Sequence, residues 1–279
     1  MTWVALSVLA SLGLALVARW GERAGQDRVA MMAWNYAAAG ALATAMAWRA
    51  GAIVPDGVTL LLGTLAGLSY AAALLFWMIA IPFAGLGMST TAMRLSVIWP
   101  ALVAVLAYGE SPTPAQGVGI AFALLAMGLL LQSGGGLARR LDRRGLLWLL
   151  ALWASSGANA VLLKVFTAAN RAPQQPAFLA LIFLVAGVVC WAIVAWRRPR
   201  LRAGDLVRGT LFGAGNVASN VCLLLGLAEI PAVVVFPVRD AGIIAVVSLT
   251  GVVFLGERPT PRGYAAIGAA VLAVVFMSL

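Results

Sequence analysis

Apolar stretches long enough to cross a lipid bilayer follow one another along almost the whole chain of 279 residues. A helix needs about 20 apolar residues to cross about 30 Å of hydrocarbon. With the connections placed at charged residues and at Gly/Pro clusters, ten such spans fit the sequence. They cover residues 2–19, 30–48, 58–80, 84–108, 113–132, 145–165, 176–196, 206–228, 231–255 and 261–278. The only break between spans three and four is Ile81-Pro82, and between spans eight and nine it is Ile230-Pro231, so we predict tight turns at both. The pattern predicts an all-α integral membrane protein with ten transmembrane helices. No basic segment precedes the first span, so we interpret it as a helix and not as a cleaved signal peptide.

Composition excludes a soluble protein and several kinds of site. Apolar residues make up 63% of the chain and charged residues only 10%, whereas soluble chains average about 25% charged residues. The net charge of +10 comes from arginines between the spans, so the expected partner is the lipid bilayer and not nucleic acid. There is no histidine, and both cysteines, Cys190 and Cys222, lie inside apolar spans. We therefore expect no metal, no cofactor and no disulfide.

Short motifs recur in the same order in the two halves of the chain. Residues 63–67 (GTLAG) match 209–213 (GTLFG), Ile81-Pro82 matches Ile230-Pro231, residues 109–114 (GESPTP) match 256–261 (GERPTP), and residues 10–13 (ASLG) weakly match 154–157 (ASSG). Offsets of 144 to 149 residues separate the copies. We predict a duplication, with a first five-helix repeat in residues 1–132, a basic connecting loop in 133–144 and a second five-helix repeat in 145–279. The paired glycines of the first motif also predict close packing between helices.

The odd number of spans in each repeat has a geometric consequence. The second copy enters the membrane from the opposite side, so the repeats are inverted, an arrangement that suits alternating access. Arginine counts indicate the orientation, since fourteen lie in the connections after spans one, five, seven and nine, and only Arg49 and Arg171 lie after even-numbered spans. Because basic loops face the cytoplasm, we predict a protein of the cell (inner) membrane with both termini outside the cytoplasm.

The repeated Gly-Glu-x-Pro-Thr-Pro motif has a local physical explanation. Thr113 and Thr260 are each followed by proline and are predicted to cap the N-termini of the last helix in each half. Glu110 and Glu257 then lie just beyond the preceding helix, where we interpret them as solvated or structural groups.

Four charged side chains fall inside predicted spans, where a central Arg or Lys costs about 2.5–3.5 kcal/mol and should face a cavity or a partner. Lys164 lies near the end of its span, where snorkelling to the headgroups accounts for it. Arg94 and Arg239 lie near mid-depth in spans four and nine, where two guanidinium groups would bind a carboxylate, phosphate or sulfate. We expect Asp240 to reach across to Arg94 and not to its neighbour Arg239. Asp240 is also the candidate site for a coupling proton, and a purely structural network of the three charges is the alternative.

Neutral polar groups and aromatic rings complete the predicted substrate-binding set. They are Asn35 and Tyr36 in span two, Tyr70 in span three, Trp99 in span four, and Asn216 and Asn220 in span eight, with Ser69, Trp77, Asn159, Ser219 and Phe236 as further candidates. Asn216 and Asn220 are four residues apart and share one helix face. Hydrogen bonding between helices explains the amides as well as substrate contact does.

With two five-helix halves that each carry Gly-Glu-x-Pro-Thr-Pro before the last helix, the chain resembles the EamA-like drug/metabolite transporters. Asn35-Tyr36, Val235-Phe236-Pro237 and residues 240–243 (DAGI) are also similar to that family. The resemblance covers essentially the whole chain. It implies a ten-helix fold with a central cavity lined largely by spans three, four, eight and nine, and a small-molecule substrate that the family does not name. Many members are drawn with both termini cytoplasmic, and the arginine distribution of this chain departs from that orientation.

We therefore expect a secondary transporter of a small organic solute, anionic or zwitterionic, such as an amino acid or another metabolite, and not an enzyme. The alternative within transport is an exporter of cationic drugs or quaternary amines that uses Asp240 and aromatic rings. Alanine substitutions distinguish the two alternatives. Loss of transport in Arg239→Ala favours the anionic or zwitterionic substrate, whereas transport that survives in Arg239→Ala but is lost in Asp240→Ala favours the cation. The alternatives of other classes are an integral membrane enzyme acting on lipid and a receptor without transport activity, which a solute flux in liposomes would separate from a carrier.

Overall fold

Eleven α-helices and one short 3-10 helix make up most of the part of the chain that the structure describes. The structure is a computed structural model, and it describes residues 1–84, 86–133, 143–255 and 260–279. The helices are α1 (Thr2–Arg23), α2 (Arg28–Arg49), α3 (Gly57–Ala84), α4 (Leu86–Leu95), α5 (Ile98–Tyr108), α6 (Pro114–Ser133), α7 (Arg143–Ala168), α8 (Gln175–Arg197), α9 (Ala203–Glu229), α10 (Ala232–Leu255) and α11 (Pro261–Ser278). The 3-10 helix, Ala172–Gln174, directly precedes α8.

Eight helical segments of the described residues are long and apolar enough to cross a membrane. One of them, Met88–Tyr108, takes in most of α4 and all of α5. The predicted spans outside this set are α2, which is rich in alanine and carries Asn35 and Tyr36, and α6, whose apolar part Pro114–Leu129 is shorter. The chain is therefore an all-α, multi-pass membrane protein, as the sequence predicts.

Pro100 divides the fourth predicted span, residues 84–108, into α4 and α5. Proline has no N–H, and its ring collides with the carbonyl group four residues earlier in a helix. That carbonyl belongs to Ser96, which instead accepts a hydrogen bond from the Trp99 backbone N–H at 3.0 Å. The span is thus two short helices with a break at Ser96–Val97, two residues after Arg94.

The two Ile-Pro pairs behave differently from each other, although the sequence predicts a tight turn at both. Ile230-Pro231 does form the turn between α9 and α10. The prediction for Ile81-Pro82 is wrong, because α3 continues through Pro82 to Ala84. A proline in the last turn of a helix removes little of the hydrogen bonding that holds the helix together.

Both glycine motifs lie in close contacts between helices. Gly209 and Gly213 of α9 face α2, where a Cβ added at Gly213 would lie 2.5 Å from the backbone oxygen of Asn35. Gly63 and Gly67 of α3 face α8, where a Cβ added at Gly67 would lie 2.7 Å from a side-chain carbon of α8. The predicted close packing at both motifs is confirmed, and it requires residues without a side chain.

The predicted N-caps of the last helix in each half are confirmed. The Thr113 hydroxyl accepts a hydrogen bond from the Gln116 backbone N–H at 3.2 Å, and the Gln116 side chain accepts one from the Thr113 backbone N–H at 3.0 Å. The Thr260 hydroxyl accepts a hydrogen bond from the Gly263 backbone N–H at 3.2 Å. Glu257 and most of the predicted connecting loop, residues 134–142, lie outside the described residues.

Helices of the first half of the chain pack mainly against helices of the second half. Both α1 and α2 lie against α9, α3 lies against α7 and α8, α2 also lies against α8, and α6 lies against α11. Helix α10 contacts α1, α5, α6 and α11. This interleaving surrounds a central region to which α1, α2, α3, α4, α7, α9 and α10 all contribute residues.

Side-chain contacts identify the two ends of the helix bundle. At the end that we term the basic end, the Arg208 guanidinium near the start of α9 lies 4.1 Å from the ring centre of Trp20 near the end of α1. At the opposite end, the Trp3 indole N–H donates a hydrogen bond to Glu229 at 2.9 Å, which joins the start of α1 to the end of α9. Helices α1 and α9 are therefore antiparallel.

Candidate functional site

A cavity of about 520 Å³ lies in the middle of the helix bundle. Most of the predicted substrate-binding residues line this central cavity, namely Asn35, Tyr36, Tyr70, Arg94, Asn216, Asn220, Arg239 and Asp240. Three of the further candidates, Trp77, Asn159 and Phe236, line it as well. The structure therefore brings together residues from six helices that are distant in sequence, and most of the wall between them is apolar.

Trp99 is the member of the predicted set that does not line the central cavity. Its ring packs against Trp153 of α7, with ring centres 4.9 Å apart, and against the backbone of Gly157. Trp99 is 37% exposed on the outer side of the bundle. Trp99 belongs to α5, beyond the break at Ser96–Val97, so counting positions along one continuous helix through span four does not place its side chain.

The central cavity extends from the middle of the bundle towards the basic end. Ala18 and Trp77 line both this cavity and a smaller one of about 50 Å³, which Gln26 and Arg28 also line. Towards the opposite end, the lining of the central cavity includes Leu163, the residue directly before Lys164 on α7. The cavity thus lies on the basic side of Lys164.

Two arginines and one aspartate carry the formal charge of the central cavity. Arg94 Nη1 lies 3.7 Å from Asp240 Oδ1, and Arg239 Nη1 lies 3.8 Å from the same oxygen. The three side chains are 18–24% exposed. Asp240 is the one carboxylate among the described lining residues, so the described wall has a net charge of +1.

The expectation that Asp240 reaches Arg94 across the cavity agrees with this geometry, but the expectation that it avoids Arg239 does not. Asp240 lies almost equally far from both guanidinium groups. Neighbouring residues of a helix point about 100° apart, but an arginine side chain is long enough to bend back over that angle. The aspartate is therefore shared between the two arginines.

Hydroxyl groups hold the Arg239 guanidinium against α1 and α9. Arg239 Nε donates a hydrogen bond to Ser7 Oγ at 2.9 Å, and Nη2 donates one to Ser219 Oγ at 3.1 Å. Ser11 Oγ lies 2.9 Å from Ser219 Oγ, and Ser7 Oγ donates to the Ser219 carbonyl at 2.9 Å. Sequence reasoning missed Ser7 and Ser11. Their four-residue spacing on one face of an apolar helix is the signal that would have found them.

Four side chains from three helices form a second polar group, the amide network. The Tyr70 hydroxyl donates to Asn216 Oδ1 at 3.0 Å, and Asn216 Nδ2 donates to Asn35 Oδ1 at 3.2 Å. Asn220 Nδ2 donates to the same Asn216 Oδ1 at 3.0 Å. The ring of Tyr36 packs edge-on against Tyr70, with ring centres 5.8 Å apart. This network joins α2, α3 and α9 and presents polar atoms to the cavity.

Lys164 pairs with Glu110 at the opposite end of the bundle, so the interpretation that Lys164 snorkels to the headgroups is wrong. Lys164 Nζ donates a hydrogen bond to Glu110 Oε1, and the Lys164 ammonium lies 4.8 Å from the ring centre of Tyr108. Glu110 Oε2 accepts a hydrogen bond from the Val233 backbone N–H, in the first turn of α10, at 3.0 Å. We name Tyr108, Glu110, Lys164 and Val233 the Glu110 cluster. It ties the chain after α5 to α7 and α10, which bears out the structural interpretation of Glu110.

A family model described as the "EamA-like transporter family" matches residues 143–279, which is just under half of the chain and takes in α7 to α11. The second half of the chain is thus similar to the EamA-like transporters. The resemblance seen in the sequence motifs is therefore confirmed over residues 143–279, and the eight apolar helical segments fit a multi-pass membrane protein of this type.

The chain is also similar to one further protein and to one solved structure. The chain is 24% identical over 181 residues to an uncharacterized protein of Haemophilus influenzae, over 64% of this chain and 62% of that protein. The match thus spans less than two thirds of the relative. A solved structure described only as "Crystal structure of protein" superimposes with a TM-score of 0.82 at 16% identity, over 100% of this chain and 99% of the other. At that identity the similarity applies to the fold alone.

Proposed function

We propose that this chain is a secondary transporter that carries a small anionic or zwitterionic organic solute across the membrane by alternating access. The observation that carries the proposal is the net charge of +1 on the described wall of the central cavity. A buried guanidinium group in a membrane protein faces a partner or a watery cavity because lipid cannot solvate it. Here both arginines face the same cavity and share one carboxylate between them.

The proposed architecture is ten transmembrane helices in two inverted five-helix repeats. The helix packing supports it, because exchanging the two halves converts the contacts of α3 with α7 and α8 into those of α9 with α1 and α2. The glycine motifs of α3 and α9 lie in these equivalent contacts. Helices α2 and α6 complete the ten, since they contain 22 and 20 residues and a helix rises about 1.5 Å per residue.

The proposed orientation puts the basic end in the cytoplasm of a cell with an inner membrane and both termini outside it, as the arginine distribution favours. In that orientation the central cavity extends towards the cytoplasm, and the Glu110 cluster lies between the cavity and the outside. Alternating access would require this cluster to separate when the cavity opens to the other side.

The charge of the cavity favours an anionic or zwitterionic substrate over a cation. A cation would have to approach Asp240 against two guanidinium groups that lie within 4 Å of it. A carboxylate would gain paired hydrogen bonds from a guanidinium fork. A coupling proton, if the transport uses one, would bind at Asp240, the carboxylate of the described lining.

A thermal-shift screen of the purified protein, followed by flux measurement in liposomes, tests the proposal. The screen compares amino acids, organic acids, sugar phosphates and quaternary amines, because a ligand of the folded state raises its apparent stability. We expect an anion or zwitterion to give the largest shift and to be carried into liposomes. Arg239→Ala should lower its flux by about ten- to a hundredfold, the equivalent of losing charge-assisted hydrogen bonds.

Arg49→Ala is the matched control, because Arg49 is an exposed arginine at the end of α2, away from the cavity. It should leave the flux unchanged. The proposal fails if a quaternary amine gives the largest shift, Arg239→Ala leaves its flux intact and Asp240→Ala abolishes it.

A further inference from the structure

We propose that the Asp240 carboxylate competes with the anionic group of the substrate for Arg94 and Arg239, and that Asp240 thereby sets which net charge the site accepts. This inference rests on the proposed transport of an anion or zwitterion and names the residue that decides its charge. Asp240 is in this view a built-in counter-ion, which the substrate replaces when it binds.

The ion pairs of Asp240 have the loose geometry that replacement requires. Charge-assisted hydrogen bonds between nitrogen and oxygen measure about 2.7–2.9 Å. Asp240 Oδ1 lies 3.7 Å from Arg94 and 3.8 Å from Arg239, beyond hydrogen-bond range of both. The carboxylate is thus held midway by charge, and a substrate carboxylate that bonds either guanidinium group directly would displace it.

Contacts other than Asp240 hold Arg239 in position, and the end of α4 favours the charge of Arg94. Arg239 is fixed by hydrogen bonds from Nε and Nη2 to Ser7 and Ser219, and the remaining nitrogen, Nη1, is the one nearest Asp240. Arg94 lies in the last turn of α4, where the partial negative charge of the helix end favours a cation. Removing the Asp240 charge therefore leaves a pair of guanidinium groups that still face the cavity.

Charge balance then determines the preferred substrate. With Asp240 present, the described wall carries +1, and one net negative charge on the substrate neutralises it. A second negative charge would face the displaced aspartate at short range, which costs affinity in a site of low dielectric constant. With Asp240 neutralised, the wall carries two uncompensated arginines and a dianion becomes the better match.

The test uses three six-carbon probes that differ in charge: hexanoate, adipate and 6-aminohexanoate. Apparent dissociation constants are measured by thermal-shift titration of the purified full chain at neutral pH and constant ionic strength. We expect the wild-type protein to prefer hexanoate to adipate. Asp240→Asn, which keeps the shape of the side chain, should shift the ratio of the two constants towards adipate by about tenfold or more. Asp240→Glu should keep the wild-type order.

Each other outcome overturns the inference in a recognisable way. An unchanged ratio in Asp240→Asn, with hexanoate binding that still depends on Arg239, refutes the role of Asp240 and leaves the proposed function intact. If Asp240→Asn selectively loses binding of 6-aminohexanoate, displacement of Asp240 by the substrate is refuted, because Asp240 would then bind the substrate's ammonium group. Binding of none of the three probes to either protein refutes this inference and the anionic substrate class together. If Asp240→Asn does not fold, Asp240→Ala is judged by the same ratio.

Discussion

Neutralising Glu110 is predicted to destabilise the protein by loosening the opposite end of the bundle. The Glu110 carboxylate bonds the Lys164 ammonium with one oxygen and the Val233 backbone N–H with the other. The side chains of Lys164 and Glu110 are only 10% and 13% exposed. Glu110→Gln removes the negative charge but keeps a side chain of the same length that still accepts hydrogen bonds.

The expected loss follows from what the substitution leaves behind. Removing one partner of a buried ion pair costs about 3–5 kcal/mol, because the other charge stays buried without compensation. The glutamine oxygen still accepts one hydrogen bond, which is worth about 1 kcal/mol. We therefore expect Glu110→Gln to lower the free energy of unfolding by about 2–4 kcal/mol. The double variant Glu110→Gln/Lys164→Met should recover most of this loss, since no unpaired charge remains.

Equilibrium unfolding in mixed detergent micelles, applied to both single variants and the double variant, measures the coupling energy between the two side chains. Glu229→Gln is the matched control, because Glu229 lies at the same end and accepts a hydrogen bond from Trp3 in an exposed position. It should cost less than about 1 kcal/mol. A coupling energy below about 0.5 kcal/mol between Glu110 and Lys164 would refute the argument.

The same substitution also tests the proposed alternating access, in which the Glu110 cluster separates when the cavity opens to the opposite end. A cysteine at Leu163, in a chain whose native cysteines are replaced, reports which end of the cavity admits a membrane-impermeant maleimide. Glu110→Gln should raise the rate of labelling from the opposite end. Equal rates in both backgrounds would mean that the cluster stabilises the fold without closing the cavity.

Two further substitutions test the packing and the surface. Gly213→Ala should destabilise the protein by about 1–3 kcal/mol, because the new Cβ would lie 2.5 Å from a backbone oxygen of α2. The control Gly13→Ala has nothing within 4 Å of its Cβ and should be neutral or stabilising. Equal effects of the two substitutions on the free energy of unfolding would contradict the close contact. The Thr59 backbone N–H, and secondarily Arg171, lower the pKa of Asp56. Asp56 therefore stabilises the fold above its ordinary pKa, and this contribution disappears as the pH falls through the lowered value. Asp56→Asn should make the free energy of unfolding less dependent on pH in the acid range. An unchanged pH dependence would contradict the assignment.

The ends of most helices were predictable from the sequence because lipid and water select different residues. The last predicted span, 261–278, coincides with α11, and the first, 2–19, differs from α1 by a few residues at one end. The break that Pro100 causes between α4 and α5 was not predictable in this way. Pro237 lies inside α10 without interrupting it, and membrane helices tolerate proline where neighbouring groups satisfy the freed carbonyl. Whether a proline breaks a helix depends on that packing, which the sequence does not display.

The sequence reveals the site residues whose burial in lipid is costly, and it does not reveal those whose burial costs little. Arg94 and Arg239 stand out in apolar spans because a charge there requires a cavity or a partner. Ser7 and Ser11 do not stand out, since small hydroxyl groups can bond their own helix backbone, as Ser11 does with the Ser7 carbonyl at 2.8 Å. The partner of Lys164 is 54 residues away in the chain, so snorkelling was the simpler local explanation.

The two groups of buried charges differ in a way that bears on a transport cycle. In the central cavity, one carboxylate is shared at 3.7 and 3.8 Å between two arginines. Under the proposed function, an arriving monoanion takes its place beside the arginines and brings the net charge of the described wall from +1 to zero. In the Glu110 cluster, both oxygens of the carboxylate make directed bonds to α7 and α10, so separation strands an ammonium, a carboxylate and a backbone N–H at once. Water entering from the opposite end would relieve that cost. Under the proposed alternating access, opening at the opposite end and hydration of the cluster would therefore be one event, whereas exchange in the cavity would proceed while the cluster stays closed.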